Sequence, residues 1–357
     1  MSEKRRVVLF IERFLSSLRK SQRGTIGDLT FGLMNTGRLG LAGMARGMRD
    51  GTTVRHRIKR IWRFARNERV DLRLVFGALS DWCAAGGEGL VVALDWTELT
   101  RGYQLLAAKV ALRKRAIPLA WRVVRKEEFN DRQRSRNQIE EELILQLRRL
   151  LWGKQWVLVA DRGFARAALF QKLSDWGISY VIRCAGNVWI RKRGFSGTLD
   201  HFPRRANRTV RYKEVFYQQR LQVPVGLVVS HREPAFEPWY LITNVEGEGL
   251  IEQIYRKRMW IEESFRDAKS NLGLSKLWLS DPRRMQRLLV IAAVAMLLAV
   301  IIALDYQNRH PGKDPQLTTK RQGPTMSVFR RGLELFRLQG PPTGLQFMKL
   351  HTLILQP

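Results

Sequence analysis

The 357-residue chain carries 63 Lys and Arg against 32 Asp and Glu, a formal net charge of +31, with 45% hydrophobic residues. That apolar share supports a packed core and argues against a disordered chain, while the two cysteines, Cys83 and Cys184, lie far apart and give neither a disulfide framework nor a thiolate metal site. A charge this positive calls for an anionic partner, nucleic acid before an anionic membrane.

The opening stretch MSEKRRVVLFIERFL starts like a signal peptide, but Glu12 and Arg13 interrupt its apolar run, so it reads as an amphipathic helix. Residues 1 to about 85 read as helical throughout. Their densest basic stretch is TVRHRIKRIWRFARNER, 53–69, in which Ile58, Ile61, Trp62 and Ala65 form an apolar stripe. Arg57, Lys59, Arg60 and Arg63 occupy the other faces and are candidate contacts to DNA phosphates. From residue 89 the texture changes. GLVVALDWTEL, YQLLAAKVAL and AIPLAWRVV read as three strands, and NQIEEELILQLRRLL as a helix. QWVLVAD, FARAALFQKLSDWG and SYVIRCA then read as strand, helix and strand. The order βββαβαβ predicts a mixed sheet with helices on its faces, the order of a ribonuclease-H-like core.

Residues 186–246 read as further strands with basic turns, a β insertion. A helix over 250–273 follows. The run LLVIAAVAMLLAVIIAL, 288–304, has 17 apolar residues. That is the lower limit for crossing a bilayer, and its Ala content favours a helix buried all round in the core. Residues 307–324 read as a loop, and MSVFRRGLELFRL as a short amphipathic helix.

Asp95 and Asp161 each end an apolar strand, the position at which open α/β sheets bind ligands. A carboxylate against a dry core is costly unless paired or bound to a cation, and oxygen-only ligands suit Mg²⁺ or Mn²⁺. With Glu262 there are three acids, enough to hold two metals for in-line phosphoryl chemistry. On one continuous helix Tyr255, Arg258, Glu262 and Lys269 would fall within roughly 60° of one another. Glu263 would point about 100° away from that stripe.

Tyr255, Arg258, Glu262 and Lys269 resemble the Y-x2-R-x3-E-x6-K signature of DDE transposases of the insertion-sequence type, family four, whose cut-and-paste members form DNA hairpins. LDWTE around Asp95 and ADRGF around Asp161 resemble that family's first two acidic motifs, and EPWYLITN followed by IYRKRMWIEESFRDAKSNLGL resembles its third block. The resemblance runs from about 90 to 285. It implies that Asp95, Asp161 and Glu262 bind two Mg²⁺ ions, with Mn²⁺ as the alternative, and carry the catalysis. It implies that Tyr255, Arg258, Lys269 and Arg183 hold DNA phosphates, and that Trp239 stacks on a flipped base or is a core aromatic. The position after the signature Arg, where the family often has a Trp, is Met259 here.

The expected division is a helical DNA-binding region (1–88), a ribonuclease-H-like core (89–185 and 247–306) interrupted by the β insertion (186–246), and a C-terminal segment (307–357) for dimerisation or end synapsis. The implied partners are double-stranded DNA, as terminal inverted repeats and target, and a second copy of the chain, with no membrane. The implied location is the bacterial cytoplasm, at the nucleoid. Sequence alone leaves open a catalytically silent DNA-binding protein, a plain nuclease with the same core, and a chain anchored through 288–304.

Overall fold

The computed structural model describes residues 2–86, 89–129, 135–203, 207–231, 237–311 and 326–342. In chain order, helices α1 (Glu3–Phe14), α2 (Lys20–Thr36), α3 (Leu41–Gly47), α4 (Val54–Arg66) and α5 (Leu72–Ala84) come first. Strands β1 (Leu90–Glu98), β2 (Tyr103–Leu112) and β3 (Arg115–Arg125) follow, then α6 (Arg136–Leu150), β4 (Trp156–Ala160), α7 (Ala167–Asp175) and β5 (Ser179–Cys184). Next are β6 (Trp189–Lys192), β7 (Phe195–Thr198), β8 (Arg208–Tyr217), β9 (Val223–His231) and β10 (Trp239–Thr243). Helices α8 (Glu248–Arg256), α9 (Met259–Asn271), α10 (Pro282–Arg309) and α11 (Val328–Gln339) complete the described chain. The sequence's βββαβαβ order is therefore present from β1 to β5, in a mixed α/β, ribonuclease-H-like fold.

The chain divides into two compact units. One comprises 1–88, 96–150 and 262–357, the other 89–95 and 151–261. In the first unit polar side chains start the helices. Thr53 accepts from the His56 N–H to open α4, Asp71 from the Arg73 N–H to open α5, and Asp281 from the Arg283 N–H, ahead of Pro282, to open α10. β2 and β3 form an antiparallel hairpin with a register shift at Ala108/Lys109. The centre of this unit is α10. It is apolar and long enough to cross a membrane, yet its most apolar stretch is wholly buried in the protein. It packs on β3, α2, α4 and α11. Contact with α11 is backbone-close: a Cβ at Gly332 would sit 1.7 Å from the Ala299 carbonyl oxygen, so only glycine fits there. The C-terminal helix is thus seated along α10. The remainder of the expected 307–357 segment, 312–325 and 343–357, lies outside the described residues.

In the second unit the strands run β1-β4-β5-β10-β9-β8-β6-β7. β1, β4 and β5 are mutually parallel, and β10 pairs antiparallel with β5 and with β9. The strands of the 186–246 segment therefore extend the same sheet as β4 and β5. β1 starts in this unit, and its last three residues, 96–98, belong to the first.

The structure corrects one expectation that bears on the site. Residues 250–273 are two helices. α8 ends at Arg256 and α9 starts at Met259. Across the junction the bonds tighten to i→i−3: Lys257 N–H to Ile254 O, Arg258 to Tyr255, Trp260 to Lys257 and Ile261 to Arg258, at 2.9–3.1 Å. Such a turn has three residues per revolution. It eclipses Tyr255 with Arg258 and breaks the single four-residue stripe.

Candidate active site

The first acids meet across a parallel strand pair. Leu94 on β1 is in register with Ala160 on β4. The next residues, Asp95 and Asp161, are thus neighbours at the usual strand spacing of about 5 Å. On the other side Ala160 is in register with Ile182 of β5, which sets Arg183 beside Asp161. Asp95, Asp161 and Arg183 form a row across three adjacent parallel strands, although β1 runs on to Glu98, so Asp95 ends the buried part of its strand and not the strand itself. The chain turns immediately after Asp161, whose Oδ1 accepts the Gly163 N–H at 2.9 Å. Among the described residues Asp161 makes no salt bridge.

Around this row the second unit gathers an aromatic and cationic group. Tyr255 is buried, its ring edge-on to Trp239 with centroids 5.0 Å apart. The Arg258 guanidinium lies 5.8 Å from the Tyr255 ring, and that of Arg256 lies 5.7 Å from Trp239. Burial raises the Tyr255 phenol, the positive charges of Arg258 and Arg183 pull it down, and Asp161 pushes it up. The phenol therefore stays protonated and able to donate a hydrogen bond, between two cations and a carboxylate. Arg183 donates through Nη2 to Glu237 at 2.9 Å, but that glutamate is largely exposed. The Arg183 Nε is buried and has no hydrogen-bond partner among the described residues. Such a guanidinium is suited to an incoming anion.

The remaining expected residues lie in the first unit, on α9. Ile261, Ser264, Phe265 and Ala268 are buried, while Glu262 and Lys269 are half-buried. Seven residues separate these last two, so they share a stripe at the edge of the buried face. Glu263 is committed elsewhere, at 2.6 Å from Arg266 and 3.9 Å from Arg115. The helix is fixed by contacts the sequence did not announce. Lys109, a buried lysine on β2, donates to the Ser264 hydroxyl at 3.1 Å and sits 3.6 Å over the Phe265 ring. Ser264 in turn donates to the Ala116 carbonyl. Asp267 accepts from Arg115 at 2.6 Å and from Ser327 at 3.2 Å. Burial raises the Asp267 carboxyl, and Arg115 and Ser327 work against it. Near Lys269, the Glu98 carboxyl is held below the usual range by its hydrogen bond from Lys126, with Lys269 adding to the effect.

The basic helix α4 divides in two. Arg57 is bound to Asp50 at 2.6 Å and also donates to the Ala45 carbonyl. Arg60 pairs with Asp28 at 2.8 Å and Asp50 at 3.2 Å. These two candidate DNA contacts are internal ion pairs, because acids from the α2 and α3 region meet that face. Lys59 and Arg63 are exposed.

Two neighbouring carboxylates with oxygen donors only fit a hard divalent cation. Among the described residues no three His, Cys, Asp or Glu side chains are grouped as a metal cluster.

The transposase DDE domain matches residues 87–298, more than half of the chain. The chain belongs to the DDE transposase family. Asp95, Asp161 and Glu262 of this transposase all lie within the matched span, as do Arg183, Trp239, Tyr255, Arg258 and Lys269. Enzymes of this family use divalent metal ions. No curated protein matches the chain. Among solved structures it is similar to a piggyBac transposase in a synaptic complex with hairpin DNA, at 12% identity and a TM-score of 0.45, covering 97% of this chain and 82% of that one.

Sequence reasoning missed Glu237, Lys109 and Ser264. Glu237 stands two residues before Trp239 in the EPWYLITN block, which reads as a strand and gives Glu237 no role of its own. Lys109 reads as one more basic residue in a basic chain. Its one visible signal is its place within an otherwise apolar strand, YQLLAAKVAL.

Proposed function

We propose that this transposase is the cut-and-paste enzyme of a bacterial insertion sequence, with Asp95, Asp161 and Glu262 as its three catalytic carboxylates. What best supports the reading is that Asp95 and Asp161 each follow directly on the in-register pair Leu94 and Ala160 of parallel β1 and β4, inside the span of the family match. The three acids hold two Mg²⁺ ions, or Mn²⁺ in their place. Bound there, the ions supply charge neutralisation on the scissile phosphate and activation of water or a 3′-hydroxyl.

The other residues hold and orient DNA. Arg183 carries fixed positive charge beside Asp161 and Arg258 carries it beside Tyr255, and each takes a phosphate oxygen. The Tyr255 phenol, kept protonated by burial, donates to the same backbone. Lys269, on the stripe of Glu262, contacts a neighbouring phosphate. Trp239 gives a flipped base a stacking surface, which the hairpin route needs when the second strand is cut. Lys59 and Arg63 on α4 add contacts to the terminal inverted repeat. Two copies of the chain act together, since two transposon ends must be joined before insertion into target DNA. The enzyme works in the bacterial cytoplasm, at the nucleoid.

The test is strand cleavage of a labelled duplex ending in the element's own repeat, with Mg²⁺. Wild type is expected to nick at the repeat end and then give a hairpin product. Glu262→Gln is expected to bind the duplex and leave it intact. Equal binding with no cleavage by either protein, in Mg²⁺ or Mn²⁺, would overturn the enzymatic reading in favour of a silent DNA binder.

A further inference from the structure

The first unit contains an open cleft of about 990 Å³ that none of the roles above uses. Its walls come from the segment before α5, the C-terminal half of α6, the middle of β3 and the start of α10. Several of its cations are left without acids. Arg287 is 8% exposed, and its Nε donates to the Ala65 carbonyl at 2.7 Å. Burial pushes this guanidinium's pKa down, with the charges of Glu68 and Asp281 opposing the shift. Among the described residues it makes no salt bridge. A buried cation held by one carbonyl carries a desolvation cost that an anion would relieve.

Three exposed arginines, Arg69, Arg149 and Arg283, line the same cleft and likewise have no salt bridge among the described residues. The acids there are fewer. Six arginines line the cleft against three acids, Glu68, Asp71 and Glu142, and Asp71 is occupied by Arg73 at 2.8 Å. By contrast, the arginines Arg57 and Arg60 of α4 are matched by two aspartates.

We propose that this cleft is a second nucleic-acid site, which takes the phosphodiester backbone of duplex DNA outside the catalytic carboxylates. Its cations stand on separate segments and line the walls rather than converging on one point. The space far exceeds a single phosphate ion. That suits a run of phosphates, each met by one exposed arginine, with Arg287 supplying the deeper charge. The proposal rests on the transposase reading only in taking DNA as the partner.

The experiment is fluorescence anisotropy of a labelled duplex of random sequence, without divalent metal, across a salt series. It compares full-length wild type with Arg149→Gln/Arg283→Gln. Losing two phosphate contacts is expected to reduce the slope of log K against log salt by about two and the affinity by at least about tenfold near 0.1 M salt. Both arginines are exposed, so melting temperature should stay that of wild type. If the double variant does not fold, each single variant is expected to lower the slope by about one. Unchanged affinity and slope would overturn the proposal. So would displacement of the duplex from wild type by inorganic phosphate at constant ionic strength, which would make this a small-anion site. Because no metal or cleavage is involved, failure of the catalytic reading leaves this test readable.

Discussion

Two pairs of aspartates in this basic chain meet opposite fates. Asp28 and Asp50, beneath α4, are neutralised by Arg57, Arg60 and Lys4 at 2.6–3.9 Å. Asp95 lies within β1 and Asp161 just after β4, and Asp161 spends a carboxylate oxygen on its own Gly163 N–H and makes no salt bridge among the described residues. The arginine nearest along the sheet, Arg183, is turned to Glu237. In a chain with 63 basic residues, an aspartate without an ion pair is the informative one. The first pair locks helices together. Asp161 remains able to accept a cation from solution.

The largest expected effect breaks the second pair. Asp161→Asn should lower Mg²⁺-dependent cleavage by at least about 10²-fold, the scale of losing one charge-stabilising group, while its thermal melt stays near wild type. If cleavage survives, Asp161 is not part of the catalytic set. Next is the contrast between adjacent glutamates. Glu262→Gln should cost a comparable factor in cleavage. Glu263→Gln should leave cleavage intact and cost at most about 0.5 kcal/mol, because Arg266 is largely exposed. A chemical-denaturation series on both proteins separates the two outcomes.

The pair beneath α4 should answer to pH instead of metal. Burial raises the Asp50 carboxyl, but hydrogen bonds from Thr52 and Arg57 outweigh that and hold it at about 2. A carboxyl depressed on folding stabilises the protein above its unfolded value. That contribution is lost as pH falls from about 4 through about 2. The loss should be on the order of 1 kcal/mol and absent in Asp50→Asn, as acid titrations of the melting temperature would show. The smallest effect is expected at the phosphate grip. Tyr255→Phe removes one donor and should weaken binding to the repeat duplex several-fold, about 1 kcal/mol, with its fold unchanged.

This contrast also marks what could be read without coordinates. The order βββαβαβ was legible, and so was the place of the two aspartates, because an apolar run that stops on Asp sets a carboxylate where a strand leaves the core, although β1 itself runs on to Glu98. The buried character of α10 was legible from its Ala-rich, uninterrupted run. The break at Lys257–Arg258 was not, since YRKRMW contains neither Gly nor Pro and every residue in it tolerates a helix. Its cause is tertiary. Both Tyr255 and Arg258 are buried, and a turn of three residues stacks them together. Nor could α4 disclose which of its cations were spoken for. The acids that claim Arg57 and Arg60 lie 7 and 32 residues away in sequence, so a basic stripe looked uniform where the fold had divided it.

The central claim is that Asp95, Asp161 and Glu262 act as one metal-binding set. The most direct measurement is Mn²⁺ binding, by electron paramagnetic resonance, to the full chain on its repeat duplex. Wild type, Asp161→Asn and Glu262→Gln would be compared. Two ions per chain in wild type, with fewer or weaker ions in both variants, is the predicted result. The same stoichiometry and affinity in all three proteins would contradict it.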